Sequence, residues 1–340
     1  MTSYLIYNAI LLPWLGIALF IFILLFFITA PYGKFSKNNW GPMISSTAGW
    51  VIQESVSPIV FGYFFIIGTS IKTPVMWIFF IIWIGHYFNR SFIYPFRQHK
   101  TKKRMPITIM LSAVFFNIVN GFTNGYYLGS IVSNEYNNYF FEPNFILGGL
   151  VFIIGLVINL KSDNILLKLK KENKGYQIPH GFLYRYISCP NYFGEILEWA
   201  GFAIMTWSLP GIIFAVWTMA NLIPRAYAHH IWYKNKFKEV AIPRLTYFAN
   251  KYNLSVNQIR IKEQKTMWGS CSSRNNINLN YLLIMAPMNV IDYVIIHELA
   301  HTIYKNHSSN FWRTVESMMP SFKEAKTWLK DYGYKLRKFN

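Results

Sequence analysis

The chain has 340 residues, of which 53% are hydrophobic, 19% are aromatic and 14% are charged, and its formal net charge is +19. This composition sets it apart from ordinary soluble proteins and predicts membrane-spanning segments, with enough length for two domains. The two cysteines, Cys189 and Cys271, exclude a disulfide framework.

The positive charge is spread along the whole chain, because basic residues outnumber acidic ones on both sides of Val240. A nucleic-acid partner is therefore not the first inference. Lysine and arginine near membrane spans follow the positive-inside bias, and they attract anionic lipid headgroups or a phosphorylated cofactor.

Long apolar runs predict about seven transmembrane helices in the first two thirds of the chain. Residues 5–30 are long enough to cross a hydrocarbon core of ~30 Å and are too long for a signal peptide. Further spans are predicted at 50–68, 74–94, 106–131 and 145–160. The run 192–226 is too long for one span, and Ser208-Leu209-Pro210 is predicted to break it into two.

The loops predict the orientation of these spans. Those after the first, third and fifth spans are rich in lysine and arginine, whereas the loop 132–144 has neither. The positive-inside rule then places the N-terminus outside and the C-terminal region in the cytoplasm.

Several polar residues lie within the predicted membrane spans. Ionisable residues at membrane depth indicate a functional site by default. Glu54 follows Gln53 in the second span, and Tyr87 lies in the third. A buried carboxyl stays protonated because desolvation disfavours its charged form. We therefore expect a neutral Glu54, hydrogen-bonded to Tyr87, to polarise a ketone oxygen where enolate charge develops.

Sequence motifs identify a family for this region. The stretch N-Y-F-G-E-I-L-E-W at 191–199, T-W-S-L-P at 206–210 and P-R-A-x-x-H-H-x-W-Y at 224–233 resembles the C-terminal signature of the steroid 5-alpha-reductase family. The resemblance continues upstream and covers roughly residues 1–237. Its upstream motifs are Tyr32-Gly33-Lys34, Gln53-Glu54, His86-Tyr87-x-x-Arg90, Asn120-Gly121 and Asn159-x-x-Ser162-Asp163.

The resemblance implies a membrane enone reductase that uses NADPH, with Glu54 and Tyr87 holding the substrate carbonyl. It also implies a cofactor site formed by Arg90, Asn159, Asp163, Tyr176, Asn191, Glu195, Arg225, His229 and Tyr233. The chain has no Gly-x-Gly-x-x-Gly, so the usual dinucleotide-binding fold is not predicted. Leu167 stands where the family has an arginine, and the family's basic C-terminal tail is replaced here by another domain.

After Phe237 the hydropathy changes, and residues 242–340 predict a soluble domain. The pattern predicts a helix at 243–252, strands at 258–262 and 276–280, a turn at Trp268-Gly269-Ser270, and helices from Met288 and Ser309. The domain boundaries are accordingly 1–237 and 238–340.

The second domain carries a zinc motif. His297-Glu298-Leu299-Ala300-His301 places two imidazoles one helical turn apart, with Glu298 beside them to deprotonate a metal-bound water. His307 follows with the spacing of the extended H-E-x-x-H zinc motif, although Tyr304 stands where that motif has glycine. Three histidines leave one coordination position open for catalysis.

Together with Trp268-Gly269-Ser270-Cys271 and the segment Asn306-His307-Ser308-x-x-Phe311-Trp312, this motif resembles the YgjP-like metallopeptidases, which are related to the SprT and WLM groups. The resemblance covers about residues 242–334 and implies an α+β zincin-like fold. Since three histidines suffice, Cys271 is left out of the predicted metal set.

The leading interpretation is a multi-pass α-helical membrane protein that reduces the C=C bond of a lipophilic enone, such as a steroid or other isoprenoid lipid, fused to a cytoplasmic zinc metallopeptidase. Its partners would be that enone, membrane lipid, and a peptide or protein substrate. An alternative makes the membrane part a lipid-binding anchor for an active peptidase. Two others are a nucleic-acid-linked protease and an accidental joining of two genes.

Overall fold

The computed structural model of the protein describes residues 2–31, 33–35, 40–98, 103–132, 135–172, 179, 181–264 and 266–337. The chain divides into two units. The first unit comprises Met1–Pro179 and Cys189–Tyr227, and the second comprises His180–Ser188 and Ala228–Asn340.

The first unit is mainly helical, because in lipid the backbone must form its hydrogen bonds within each segment. Its short strands β1 (Met43–Ser45) and β2 (Arg104–Pro106) pair antiparallel, with Ile44 opposite Met105. The helix α8 (Leu209–Lys251) begins in the first unit and ends in the second. In chain order the elements are α1 Thr2–Phe27, β1 Met43–Ser45, α2 Ser46–Ile67, α3 Pro74–Phe88, α4 Tyr94–Arg97, β2 Arg104–Pro106, α5 Ile107–Tyr126, α6 Pro143–Glu172, α7 Pro190–Thr206 and α8 Leu209–Lys251.

Five helices among the described residues are long and apolar enough to cross a membrane, which confirms the prediction of an integral membrane protein. They are Ser3–Phe27, Ser46–Ile67, Ile107–Ile131, Pro143–Lys171 and Leu209–Lys251. The other two predicted spans correspond to α3 and α7, which have 15 and 17 residues. Helix α3 continues through a π-helical turn, Asn89–Ile93, into α4. The total of seven spans stays a prediction.

The predicted break in the run 192–226 is confirmed. Helix α7 ends at Thr206, Trp207 adopts a left-handed conformation with φ 42°, and α8 begins at Leu209. The Ser208 hydroxyl accepts a hydrogen bond from the backbone N–H of Gly211 at 3.2 Å, and so caps the new helix. The proline in the first turn of α8 is compatible with a helix start.

An aromatic core lies where α3, α7 and α8 meet. The ring centroids of Trp83 and Trp199 are 5.1 Å apart, and each lies within 4.7 Å of the ring of Phe214. The indole N–H of Trp83 donates to the Ser57 hydroxyl of α2 at 3.2 Å, so its one polar atom is satisfied. This core lies next to Tyr87, which follows Trp83 by one helical turn.

Helices α6 and α7 pack backbone against backbone through glycines. A Cβ atom added to Gly148 would lie 2.5 Å from the backbone N of Met205, and one added to Gly201 would lie 2.4 Å from that of Phe152. Real Cβ atoms do not approach a backbone this closely, so only glycine permits the observed distance between the helices.

The second unit combines a three-stranded sheet with helices, as the predicted α+β class requires. Strand β5 (Asn276–Asn280) lies between β3 (Gln258–Lys262), to which it is parallel, and β4 (Gly269–Cys271), to which it is antiparallel. The predicted strands 258–262 and 276–280 and the helix starts at Met288 and Ser309 are confirmed. The elements are β3 Gln258–Lys262, β4 Gly269–Cys271, β5 Asn276–Asn280, α9 Met288–Ala300, α10 Ser309–Met318 and α11 Phe322–Arg337.

The turn predicted at Trp268-Gly269-Ser270 is wrong, because β4 already begins at Gly269. The cause is the buried side chain of Asn280, whose amide donates to the carbonyl oxygens of Gln264 at 2.6 Å and Met267 at 3.1 Å. These hydrogen bonds hold the loop that precedes Trp268. The strand therefore begins at Gly269, the residue after Trp268.

Helix α8 continues through Phe237, where the sequence predicts the domain boundary, as far as Lys251. Within the second unit Arg244 pairs with Asp292 of α9 in a two-pronged ion pair. Every fourth residue of this part of α8 is buried, which is the period of one helix face: Tyr233, Phe237, Ala241, Leu245 and Ala249.

Candidate functional site

In the first unit, Arg90 draws together side chains from three helical segments. It lies in the π-helical turn, and its two terminal nitrogens are 3.9 Å from Oδ2 of Asp163 in α6 and 3.7 Å from Oε2 of Glu195 in α7. Its guanidinium carbon lies 5.5 Å and 5.4 Å from the ring centroids of Trp50 and Tyr94. Single π-helical turns inside helices occur frequently at functional sites.

Two asparagines extend this cluster. The Asn191 amide donates to Oδ1 of Asp163 at 3.2 Å, and the Asn159 amide donates to the carbonyl oxygen of Asn191 at 3.0 Å. The cluster thus offers carboxylate and amide groups together, which suits the hydroxyl and carboxamide groups of a nucleotide. Five of the nine predicted cofactor residues meet here, namely Arg90, Asn159, Asp163, Asn191 and Glu195.

Arg225 approaches the same region from α8. Its Nε donates to the hydroxyl of Tyr192 at 3.0 Å, and its guanidinium carbon lies 5.7 Å from the Phe35 ring. A Cβ atom on Gly33, where φ is +62°, would lie 3.1 Å from Nη2 of Arg225. The glycine of the predicted Tyr32-Gly33-Lys34 motif therefore leaves room for this arginine. Tyr32 itself lies outside the described residues.

Three predicted cofactor residues are not described in the first unit. Tyr176 lies outside the described residues. His229 and Tyr233 belong to the second unit, where Tyr233 is buried.

Glu54 and Tyr87, which the sequence predicts to be hydrogen-bonded to each other, each have a different hydrogen-bond partner in the structure. Oε1 of Glu54 accepts from the Gln53 amide at 3.0 Å. Tyr87 is buried and hydrogen-bonds with Ser57, the residue that also binds Trp83. Tyr87 is therefore positioned by the aromatic core, whereas Glu54 is positioned by a neighbouring residue of its own helix, α2.

In the second unit, the three predicted zinc ligands converge. Nε2 of His307 lies 3.1 Å from Nε2 of His297 and 3.2 Å from Nε2 of His301. Tetrahedral zinc with Zn–N bonds of about 2.0–2.1 Å separates its ligand nitrogens by about 3.3 Å. These two distances are close to that value, and the candidate ligand atoms of all three histidines lie within 4.8 Å of one another, so the three side chains could hold one zinc ion.

The protonation of the histidines also suits a metal. Nδ1 of His301 lies 2.9 Å from the carbonyl oxygen of Tyr304, to which it donates, so its Nε2 presents a lone pair to the cluster. Burial, together with the two neighbouring imidazoles, lowers the pKa of His297 to about 3. Burial also lowers the pKa of His301. Both rings are therefore neutral at physiological pH, as metal ligands must be.

Phe311 and Trp312 form the wall behind the histidines, a role that the sequence did not reveal. The buried Phe311 ring has its centroid 4.9, 4.4 and 4.9 Å from those of His297, His301 and His307. Trp312 stacks on His307 at 5.8 Å. The Ser308 hydroxyl caps α10 by accepting from the Phe311 N–H at 3.4 Å, which places both rings.

Glu298 is buried next to His297 on α9, and burial raises its pKa to about 8. Its carboxyl group lies against Gly269 of β4, where an added Cβ atom would be 2.5 Å from Oε1. A carboxyl group with a raised pKa beside a metal site is suited to accept and return a proton. The glycine of the Trp-Gly-Ser-Cys element makes room for it.

Cys271 stays apart from the histidine cluster. Its sulfur lies 3.6 Å from the carbonyl oxygen of Ser272 and 3.8 Å from Nζ of Lys305. Among the described residues, the potential metal cluster consists of the three histidines alone.

Comparison with known proteins relates the two parts of the chain to different families. Residues 103–245 match the family model described as 3-oxo-5-alpha-steroid 4-dehydrogenase, and residues 225–332 match that of the YgjP-like metallopeptidase domain. The two matched ranges overlap at residues 225–245, within α8.

Individual relatives resemble the first part. Steroid 5-alpha-reductase DET2 of Arabidopsis thaliana is 41% identical over 223 residues, which are 64% of this chain and 85% of that protein. The 3-oxo-5-alpha-steroid 4-dehydrogenase 1 of Rattus norvegicus is 33% identical over 62% of this chain and 82% of its own length. The human protein of the same name is 34% identical over 61% and 81%.

Proposed function

The chain belongs to the steroid 5-alpha-reductase family, which supports the function of a membrane enone reductase, and we propose that its first unit uses NADPH as the reductant. The reaction would saturate the C=C bond of a 3-oxo-4-ene steroid or related lipid. The observation that carries this proposal is the cluster of Arg90 with Asp163 and Glu195, to which Asn191 is hydrogen-bonded.

The residues of this cluster fit a dinucleotide. Arg90, which faces carboxylates and aromatic rings, would fix the cofactor's position, and Asn191 and Asp163 would bind its hydroxyl and amide groups. Arg225, reaching the region of Gly33 and Tyr192, adds a cation for the phosphates. When bound, NADPH supplies the hydride for the β-carbon of the enone.

Glu54 and Tyr87 would act on the other end of the enone. Tyr87 donates its O–H to the ketone oxygen, and Glu54, when protonated, donates a second hydrogen bond as negative charge develops there. The buried aromatic core around Trp83 excludes water from this oxygen and so strengthens both interactions. The α-carbon finally takes up one proton, which balances the reaction.

For the second unit, we propose a zinc metallopeptidase. His297, His301 and His307 would hold the ion and leave one position open, and Glu298 would accept the proton of the attacking water. The predicted division at residues 237 and 238, the external N-terminus and the cytoplasmic second domain belong to the same proposal. If the first unit bound no cofactor, a membrane-anchored peptidase would be the better account.

Binding of NADPH to the purified protein in detergent tests the proposal most simply. Fluorescence quenching should show saturable binding of NADPH, and Arg90→Gln should weaken it by at least about tenfold, since a charged hydrogen-bonding group contributes about 1.5–3 kcal/mol. Arg313→Gln, which changes an exposed arginine of the second unit, is the matched control and should bind as the unchanged protein does. Equal binding by all three proteins would refute this assignment of Arg90.

A further inference from the structure

A second pair of ionisable groups joins the same two helices deeper in the first unit. Nδ1 of His86 in α3 lies 2.9 Å from Oε2 of Glu198 in α7, and their side chains are 7% and 0% exposed. Neither residue belongs to the cofactor cluster or to the pair proposed to hold the ketone. A fully buried carboxyl group in a membrane protein calls for an explanation.

Two successive ion pairs join the helical run from α3 to α4 to helix α7. The His86–Glu198 pair is called the inner rung and the Arg90–Glu195 pair the outer rung. Arg90 follows His86 by four residues, and Glu198 follows Glu195 by three, so each pair of side chains lies on one helix face. The earlier residue of the first run, His86, pairs with the later glutamate of α7, Glu198, as expected for antiparallel helices. The outer rung reaches the cofactor cluster, and the inner rung lies beside the ketone-binding residue.

The contacts of the inner rung lead directly to Tyr87. The His86 ring has its centroid 5.4 Å from that of Tyr87 and 4.7 Å from that of Trp199, in both cases edge to face. Trp199 in turn lies 5.9 Å from Tyr87. His86 therefore contacts both the neighbouring tyrosine and the aromatic ring that packs against it.

Stability alone does not explain the pair. Burying two ionisable groups costs about as much free energy as their attraction returns, and apolar residues of similar volume often serve as well. Among the described residues, moreover, the second oxygen of Glu198, Oε1, is buried without a hydrogen-bond partner. What such a pair supplies is a fixed relative position of two helices.

We propose that His86 and Glu198 are positioning residues that hold α3, with Tyr87, against α7, with Asn191 and Glu195. The pair thereby sets the distance between the ketone-binding group and the cofactor cluster. This inference rests on the proposed reductase function, in which the hydride must cross that distance. Hydride transfer depends steeply on this geometry, since a displacement of about 1 Å can cost about a hundredfold in rate.

Three variants test the proposal. Glu198→Leu removes the pair, Glu198→Gln keeps an acceptor for His86, and Tyr136→Phe removes a different buried hydrogen bond, from the Tyr136 hydroxyl to the carbonyl oxygen of Thr206 at 2.6 Å. Turnover of a 3-oxo-4-ene steroid is measured with NADPH and with NADPH deuterated at the transferred position, beside NADPH binding and thermal unfolding.

Glu198→Leu should lower kcat by about tenfold to a hundredfold, leave NADPH binding within about threefold, and raise the deuterium isotope effect, because hydride transfer becomes the slow step. Glu198→Gln should recover kcat to within about threefold, because the hydrogen bond that sets the geometry is kept. Tyr136→Phe should lower thermal stability without changing the isotope effect.

Two results would overturn the inference. The first is a Glu198→Leu protein with unchanged kcat, and the second is one whose lost activity follows lost folding with no change in isotope effect. Neither result would refute the reductase function, because the protein without substitutions would still reduce the steroid. An unchanged protein that neither binds NADPH nor reduces the steroid would refute the function itself, and the positioning role with it.

Discussion

Gly155 of α6 and Gly194 of α7 face each other with no room for a side chain on either. A Cβ atom on Gly155 would lie 2.6 Å from the carbonyl oxygen of Gly194, and one on Gly194 would lie 2.7 Å from that of Gly155. Asn159 follows Gly155 by one helical turn, and its backbone N would lie 2.5 Å from the Cβ atom added to Gly194. The close approach of the two backbones thus brings together the residues of both helices that are proposed to bind the cofactor.

The first prediction concerns this packing and uses two adjacent glycines of α6. Gly148→Ala should destabilise the first unit by about 1–3 kcal/mol, because its Cβ atom would overlap the α7 backbone. It should also weaken NADPH binding. Gly149→Ala is the control, since its Cβ atom would have Met205 Sδ as its nearest neighbour at 3.7 Å. Thermal unfolding in detergent compares them, and equal melting temperatures would contradict the packing argument.

The second prediction concerns the metal. The unchanged protein should retain about one zinc ion per chain, and His297→Ala should lose it, because two remaining histidines hold zinc weakly. His230→Ala removes another histidine of the same unit, one that lies 3.7 Å from Glu263 and outside the cluster, and should keep the ion. Elemental analysis by mass spectrometry measures the content. Zinc retained by His297→Ala would count against the proposed ligand set.

The third prediction separates zinc binding from hydrolysis. Glu298→Gln should keep zinc but cleave a quenched fluorescent peptide library at least about a hundredfold more slowly, since general-base catalysis contributes about that much. Gly269→Ala should act in the same direction, because its Cβ atom would displace the Glu298 carboxyl group. If Glu298→Gln cleaved peptides at the unchanged rate, the glutamate would not be the base.

Local patterns in the sequence were enough to predict several features. The strands 258–262 and 276–280, the break near Ser208 and the histidine spacing depend on neighbours within a few residues, and the structure confirms the strands and the break. The overlapping family matches confirm the two resemblances. Such signals are local because alternation, helix stops and the period of a helix all act over one or two turns.

Other features depend on distant partners and could not be predicted in this way. The contact of Gly269 with Glu298, the Phe311 ring among three histidines and the His86–Glu198 pair each join residues that are far apart in sequence or on different elements. The strand at Gly269 was missed because the hydrogen bonds from Asn280 override a local turn pattern. One-residue differences of this kind arise from tertiary contacts.

Reduction of a 3-oxo-4-ene steroid by membranes containing the full chain is the decisive test of the proposed reductase. NADPH should be consumed and the saturated ketone should form. Glu54→Leu should lower the rate by about a hundredfold or more, as expected when a donor to the developing oxyanion is lost, whereas His297→Ala should keep it. The absence of NADPH consumption across several enone lipids, with no NADPH binding, would contradict the claim and favour a membrane-anchored metallopeptidase.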